Sequence, residues 1–125
     1  MRKSDRPVFL NLFRIQLPFA GVTSIVHRVT GVLWVLLLPV ATYFLQLSLE
    51  NREGFNAIMA LWENPVVRVL TWLFAIMLAQ HFFSGVRHLL LDLDIGVKKQ
   101  QAVRSAKLCW LGTAIVALIL GVCWW

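Results

Sequence analysis

The 125-residue chain is 59% hydrophobic, has a mean hydropathy of +0.74 and carries a formal net charge of +6. The apolar share of a soluble domain is nearer half, so this composition predicts a membrane protein and excludes an ordinary soluble domain. The basic residues flank apolar stretches and do not form a patch with interleaved aromatic side chains, which argues against a nucleic-acid-binding protein.

The N-terminal residues 1–17 form a basic segment, in which Asp5 is the one acidic residue. We expect this segment to lie on the cytoplasmic membrane surface. Pro18 suits a helix start, because the N–H that proline lacks would have no partner in the first turn of a helix. A first transmembrane helix is predicted over residues 19–47, with a kink at Pro39. This helix exceeds the roughly 20 residues that cross a hydrocarbon core.

Two further spans follow, each preceded by a polar segment. A polar loop is predicted for residues 50–64 and a second transmembrane helix for residues 65–91. A basic loop over residues 92–107 leads to the third helix, residues 108–125, which ends in two tryptophans of the kind that anchor helices at a membrane interface. The two cysteines lie in this last apolar segment without histidines at ligand spacing, so they indicate neither a disulfide framework nor a zinc site.

The distribution of lysine and arginine predicts the orientation. Both residue types are frequent in the N-terminal segment and the second loop and rare in the first loop, and basic regions stay on the cytoplasmic side. The predicted fold class is therefore an all-α membrane protein of three transmembrane helices, with a cytoplasmic N-terminus and a periplasmic C-terminus. Residues 1–125 are expected to form a single membrane-anchor domain.

The second predicted span carries a polar stripe. His81, Gly85, His88 and Asp92 are separated by four, three and four positions, which places them on one face of an α-helix. Ionisable groups at membrane depth are costly unless they face a protein interior, water or a cofactor. The stripe therefore predicts a functional site.

The first predicted span carries a matching stripe. Ser24, His27, Arg28 and Gly31 are separated by three, one and three positions and also share a helix face. At ~1.5 Å per residue, Arg28 lies about 14 Å from the cytoplasmic end of its helix and His81 about 16 Å from the end of its own. Similar depths on adjacent antiparallel helices predict a pocket shared by the two stripes.

The chemistry of the pocket suits a haem. A neutral imidazole with a small residue one turn away, such as His81 with Gly85, offers a nitrogen to haem iron and space for a flat macrocycle. The haem propionates are carboxylates that need partners in a low dielectric. His27, Arg28 and His88 are the candidate partners.

Other interpretations remain open for the same residues. Ser24 and Arg28 are suited to bind the oxygens of a quinone that enters from the lipid. A lone histidine in a span often only hydrogen-bonds a neighbouring helix. Arg87 is expected to extend to the membrane interface, and Asp92 to end its helix or to pair with a neighbouring cation. A cofactor-free scaffold or small transporter, with His81 and Arg28 along a proton or substrate path, is the alternative from a different class.

Three motifs occur in chain order: Arg6-Pro7-Val8, then Ser24-x-x-His27-Arg28-x-Thr30-Gly31, then His81-x-x-x-Gly85-Val86-Arg87-His88. Together they resemble the cytochrome b membrane-anchor subunit of bacterial succinate dehydrogenase, the succinate:quinone oxidoreductase of respiratory complex II. The resemblance covers the whole chain, and the pairing of the second and third motifs makes it specific.

The resemblance implies roles for individual residues. His81 matches the axial ligand of the haem iron, and Ser24 and Arg28 match residues that line the ubiquinone site. His27, Arg28 and His88 match residues near the haem propionates. No residue of this chain is expected to be catalytic by itself, because the chain would act as a non-flavin subunit of the enzyme.

The resemblance also implies cofactors, partners and location. The chain would bind one haem b within a heterodimeric helix bundle, whose second small membrane subunit supplies the other axial histidine. It would anchor an iron–sulfur subunit and a flavoprotein that oxidises succinate in the tricarboxylic acid cycle, and would help to pass electrons to ubiquinone in a bacterial inner membrane. A fumarate reductase-type anchor that uses menaquinone is the alternative within the same redox class.

Overall fold

The computed structural model describes residues 17–124 of the chain. They form four α-helices: α1 (Phe19–Glu50), α2 (Arg52–Glu63), α3 (Pro65–Asp92) and α4 (Lys99–Trp124). Helices α1, α3 and α4 are long and apolar enough to cross a membrane. The prediction of an all-α protein with three transmembrane helices is thus confirmed, and the orientation of the termini stays a prediction.

Some predicted features fall outside the described residues. These are nearly all of the basic segment, the Arg6-Pro7-Val8 motif and Trp125. Within the described part, α1 ends three residues later than predicted and continues through Pro39. Helix α3 extends one residue beyond the predicted second span.

The prediction of a polar loop over residues 50–64 was wrong, because most of this segment is α2. The side-chain oxygen of Asn51 accepts a hydrogen bond from Gly54 N at 2.8 Å and thereby caps the first turn. A Cβ atom at position 54 would collide with the carbonyl oxygen of Leu47, so glycine allows α2 to fold back against α1. The charged residues of this segment therefore lie on an amphipathic helix.

The prediction of a loop over residues 92–107 was wrong at its C-terminal end, because α4 already begins at Lys99. The chain reverses direction at Asp94 and Gly96, whose φ angles are 59° and 80°. Aspartate and glycine are among the residues that adopt these left-handed conformations most readily. The basic residues after position 99 therefore extend α4 by more than two turns beyond its apolar part.

The interior of the described helices is mainly small and polar. Gln80 Nε2 donates to Ser84 Oγ at 3.1 Å, and Thr113 Oγ1 donates to Gln80 Oε1 at 2.6 Å, which links α3 to α4. Trp72 Nε1 also donates to the Ala117 carbonyl at 3.0 Å. Helices in a membrane associate through close packing and such hydrogen bonds, since lipid is as apolar as leucine. Large apolar side chains consequently face outward.

Arg87 is buried, so the prediction that it extends to the membrane interface was wrong. Its side chain is 6% exposed. Nε donates to Ser105 Oγ at 3.1 Å, and Nη2 donates to the Ala102 carbonyl at 3.2 Å. The early start of α4 explains the burial, because the first turns of α4 cover this part of α3. Arg87 therefore stabilises the packing of α3 against α4.

Replacing Arg87 with leucine should destabilise the protein by about 1–3 kcal/mol, since buried polar groups of α4 would lose their partner. Thermal denaturation of the purified protein in detergent measures this as a lower melting temperature. Arg104→Leu is the matched control, because Arg104 is exposed on the same helix α4. Equal melting temperatures for the two variants would contradict this role of Arg87.

Candidate functional site

Three histidine side chains from α1 and α3 form a stacked column. His27 lies in the middle, with its ring centroid 4.3 Å from that of His81 and 4.8 Å from that of His88. The interplanar angles are 11° and 27°, and all three side chains are half-buried. The polar stripes of the first and second membrane-spanning helices therefore face each other.

Two glycines make room for this column. A Cβ atom at position 31 would lie 3.1 Å from Cε1 of His81, and one at position 85 would lie 3.3 Å from Nε2 of His27. Gly31 and Gly85 thus each accommodate an imidazole of the opposite helix. The space beside Gly85, which the sequence suggested would admit a macrocycle, is instead filled by the His27 ring.

The hydrogen bonds of His81 identify its tautomer. Nδ1 lies 3.2 Å from the His27 carbonyl oxygen and 3.1 Å from Thr30 Oγ1. Because a carbonyl oxygen only accepts, Nδ1 carries the proton and Nε2 carries a lone pair. Nε2 has no hydrogen-bond partner among residues 17–124. An imidazole that donates Nδ1–H to a carbonyl and keeps Nε2 free is suited to bind a metal, so His81 fits an axial haem ligand.

His88 uses both ring nitrogens within the protein. Nδ1 lies 2.6 Å from the Ser84 carbonyl oxygen and therefore donates to it. Nε2 lies 3.2 Å from Ser24 Oγ, and it accepts the hydroxyl proton when His88 is neutral. The structure thus brings Ser24 and His88 together, and it leaves His88 without a free nitrogen for iron.

Arg28 and Asp92 are both exposed. Arg28 follows His27 on α1 and makes no hydrogen bond or ion pair within the described part of the chain. A cation on the surface of a membrane-spanning helix requires a ligand, a partner or a water-filled cavity. Asp92 ends α3 as predicted, and it pairs with neither Arg87 nor His88.

Thr30 is a site residue to which sequence reasoning gave no role. Its side chain is 7% exposed, and Oγ1 lies 2.9 Å from both the Val26 and the His27 carbonyl oxygens. Oγ1 also lies 3.1 Å from His81 Nδ1. The available signal was its position in the motif, one turn after His27 on the same helix.

Within residues 17–124, no group of three or more histidine, cysteine, aspartate or glutamate side chains is arranged to hold a metal ion. A haem does not need such a group, because the porphyrin supplies four nitrogens and the protein only the axial ligands. One imidazole with a free nitrogen is therefore sufficient in this chain.

An apolar cavity lies elsewhere in the described part of the chain. Its volume is about 480 Å³, and it lies between α1, α2 and α3, with Trp34 and Phe74 among its lining residues. No titratable side chain lines it. The chemistry that the sequence predicts is therefore at the histidine column and not in this cavity.

Comparison with known proteins agrees with the motifs and the three spans. The family model described as succinate dehydrogenase/fumarate reductase transmembrane subunit matches residues 2–121. The chain is 28% identical over 123 residues to the succinate dehydrogenase cytochrome b556 subunit of Coxiella burnetii, covering 98% of both chains. It is 29% identical over 126 residues to the subunit of that name from Paracoccus denitrificans, covering 95% of this chain and 92% of the relative.

A third relative matches over most of its length as well. The chain is 26% identical over 109 residues to the succinate dehydrogenase cytochrome b560 subunit of Porphyra purpurea, covering 85% of this chain and 86% of the relative. The predicted resemblance is thereby confirmed. The chain belongs to the succinate dehydrogenase/fumarate reductase transmembrane subunit family.

Proposed function

We propose that this chain is the haem b-binding anchor subunit of a succinate dehydrogenase and forms part of its ubiquinone-reduction site. The observation that carries the proposal is the state of His81, whose Nδ1 donates to the His27 carbonyl at 3.2 Å while Nε2 is free within the described residues. This side chain lies between two membrane-spanning helices, and their apolar surroundings suit the hydrophobic face of a porphyrin. The names of the relatives support the same assignment.

His81 would hold the haem iron through Nε2, and a bound haem would supply one-electron redox chemistry. A six-coordinate bis-histidine haem needs a second imidazole. The chain has three histidines, of which His88 has both nitrogens engaged and His27 is stacked between the other two rings. A second imidazole would therefore come from another chain, the second small membrane subunit.

The propionates of the haem need cationic or hydrogen-bonding partners in the membrane. Arg28 is the strongest candidate, because it is exposed and makes no internal hydrogen bond among residues 17–124. His27 precedes it in the chain and contributes a polar edge beside His81. His88 can bind a propionate only after its hydrogen bond to Ser24 is broken.

Ser24 and Arg28 contact ubiquinone in this proposal. Negative charge develops on a quinone oxygen as it is reduced, and the guanidinium of Arg28 stabilises that charge. Ser24 has one hydroxyl proton, which neutral His88 accepts at Nε2. For Ser24 to donate this proton to a quinone oxygen, its hydroxyl turns from Nε2 of His88 towards the quinone.

The partners in this proposal are the other subunits of a succinate dehydrogenase, in agreement with the names of the relatives. The described residues form membrane spans, the short helix α2 and brief connections, without a soluble domain for succinate oxidation. A flavoprotein carries out that oxidation, and an iron–sulfur subunit on the cytoplasmic face transfers the electrons. Outward-facing apolar side chains, such as Val35 and Leu118 at 72% and 70% exposure, contact lipid or the second membrane subunit in a bacterial inner membrane.

Purification of the chain with an affinity tag from gently solubilised membranes tests this function. The flavoprotein, the iron–sulfur protein and a second small membrane protein should co-purify, and the reduced-minus-oxidised spectrum should contain a low-spin b-type haem. An untagged strain treated identically is the control. A chain that purifies without these subunits and without haem would support the scaffold or transporter alternative instead.

A further inference from the structure

We propose that Thr30 is a positioning residue, which, together with the His27 carbonyl, fixes the proton and ring orientation of His81 and so tunes the haem iron. The inference rests on the proposed ligation of haem by His81. It adds a residue whose side chain lies on the far side of the imidazole from the iron-binding nitrogen.

The hydroxyl group of Thr30 satisfies all of its neighbours only when it donates its proton to a backbone carbonyl. Oγ1 lies 2.9 Å from the carbonyl oxygens of Val26 and His27, and both of these oxygens only accept. The hydroxyl proton is therefore donated to a carbonyl. The lone pairs of Oγ1 then accept Nδ1–H of His81 at 3.1 Å. Nδ1–H is thus shared between Thr30 Oγ1 and the His27 carbonyl.

The His81 ring is also confined by its other neighbours. The His27 ring stacks on one face at an interplanar angle of 11°, and Gly31 borders the Cε1 edge. Thr30 is buried at 7% exposure, so water does not replace its hydroxyl readily. The polar contacts at Nδ1 and the stacked His27 ring therefore fix the rotation of the His81 ring together.

A hydrogen bond from Nδ1–H raises the basicity of a metal-bound imidazole. A more basic ligand favours ferric over ferrous iron and so lowers the reduction potential. Valine has the shape of threonine but cannot accept the hydrogen bond. In Thr30→Val the haem potential should therefore become more positive, and haem should dissociate about 10-fold faster.

The experiment uses the purified complex with three variants. Thr30→Val removes the hydroxyl, and Thr30→Ser retains it. Thr23→Val is the matched control, because Thr23 is buried on the same helix and accepts a hydrogen bond from Trp110 Nε1 at 3.1 Å without contacting a histidine. A redox titration gives the midpoint potential, and transfer to apomyoglobin gives the rate of haem dissociation.

We expect a more positive potential and faster dissociation in Thr30→Val only. A Thr30→Val complex with full haem content, wild-type potential and wild-type dissociation rate would overturn the proposal. If Thr30→Val loses haem altogether, retention in Thr30→Ser supports the role of the hydroxyl, and loss in both variants overturns it. Haem that persists in a His81 variant would instead overturn the ligation itself, so the two failures are distinguishable.

Discussion

Replacement of His81 by leucine will remove the low-spin b-type haem signal from the purified complex. Among residues 17–124, Nε2 of His81 combines a lone pair that no protein group uses with an Nδ1 that donates a hydrogen bond, whereas Nε2 of His88 is engaged with Ser24, and leucine offers no ligand. We expect loss of the whole signal in the reduced-minus-oxidised spectrum. An unchanged low-spin signal would contradict the assignment.

A matched variant separates ligation from damage to the column. His88→Leu also removes an imidazole that stacks on His27, but both of its nitrogens bond protein groups. This variant should keep the low-spin signal. Co-purification of the flavoprotein and the iron–sulfur subunit with the tagged chain shows in both variants that the complex has assembled.

The contact between the two stripes could be predicted from the sequence. The helical period places Ser24 and His27 on one face of α1, and His81 and His88 on one face of α3. The two helices cross the same bilayer in opposite directions, so their registers are related by simple counting. The observed pairing of Ser24 with His88, and the stacking of His27 on His81, follow that register.

Other features depend on contacts that periodicity does not contain. Hydropathy detects where a segment becomes apolar, whereas α4 begins at Lys99 because the reversal at Asp94 and Gly96 lets the helix start before its apolar part. That early start buries Arg87, which composition alone would place at the interface. The role of Thr30 also escaped sequence reasoning, because a threonine in a helix commonly bonds only its own backbone.

Arg28→Leu should lower the rate of quinone reduction by about 100-fold, because this is the usual effect of removing one group that stabilises developing negative charge. Arg28 is exposed on α1, one residue from the histidine column, so leucine should not disturb helix packing. Succinate oxidation with a soluble acceptor should stay at the wild-type level, because that reaction takes place in the flavoprotein.

Three comparisons make this result specific for the quinone site. Haem content must be measured with the rates, since the proposal also pairs Arg28 with a propionate. Arg28→Lys should recover part of the quinone activity, because lysine keeps the charge but loses the planar fork of donors. Ser24→Ala should mainly raise the KM for ubiquinone, because it removes a hydrogen bond but no charge. Equal loss of quinone reduction and soluble-acceptor activity in Arg28→Leu would show that Arg28 supports assembly and does not act on the quinone.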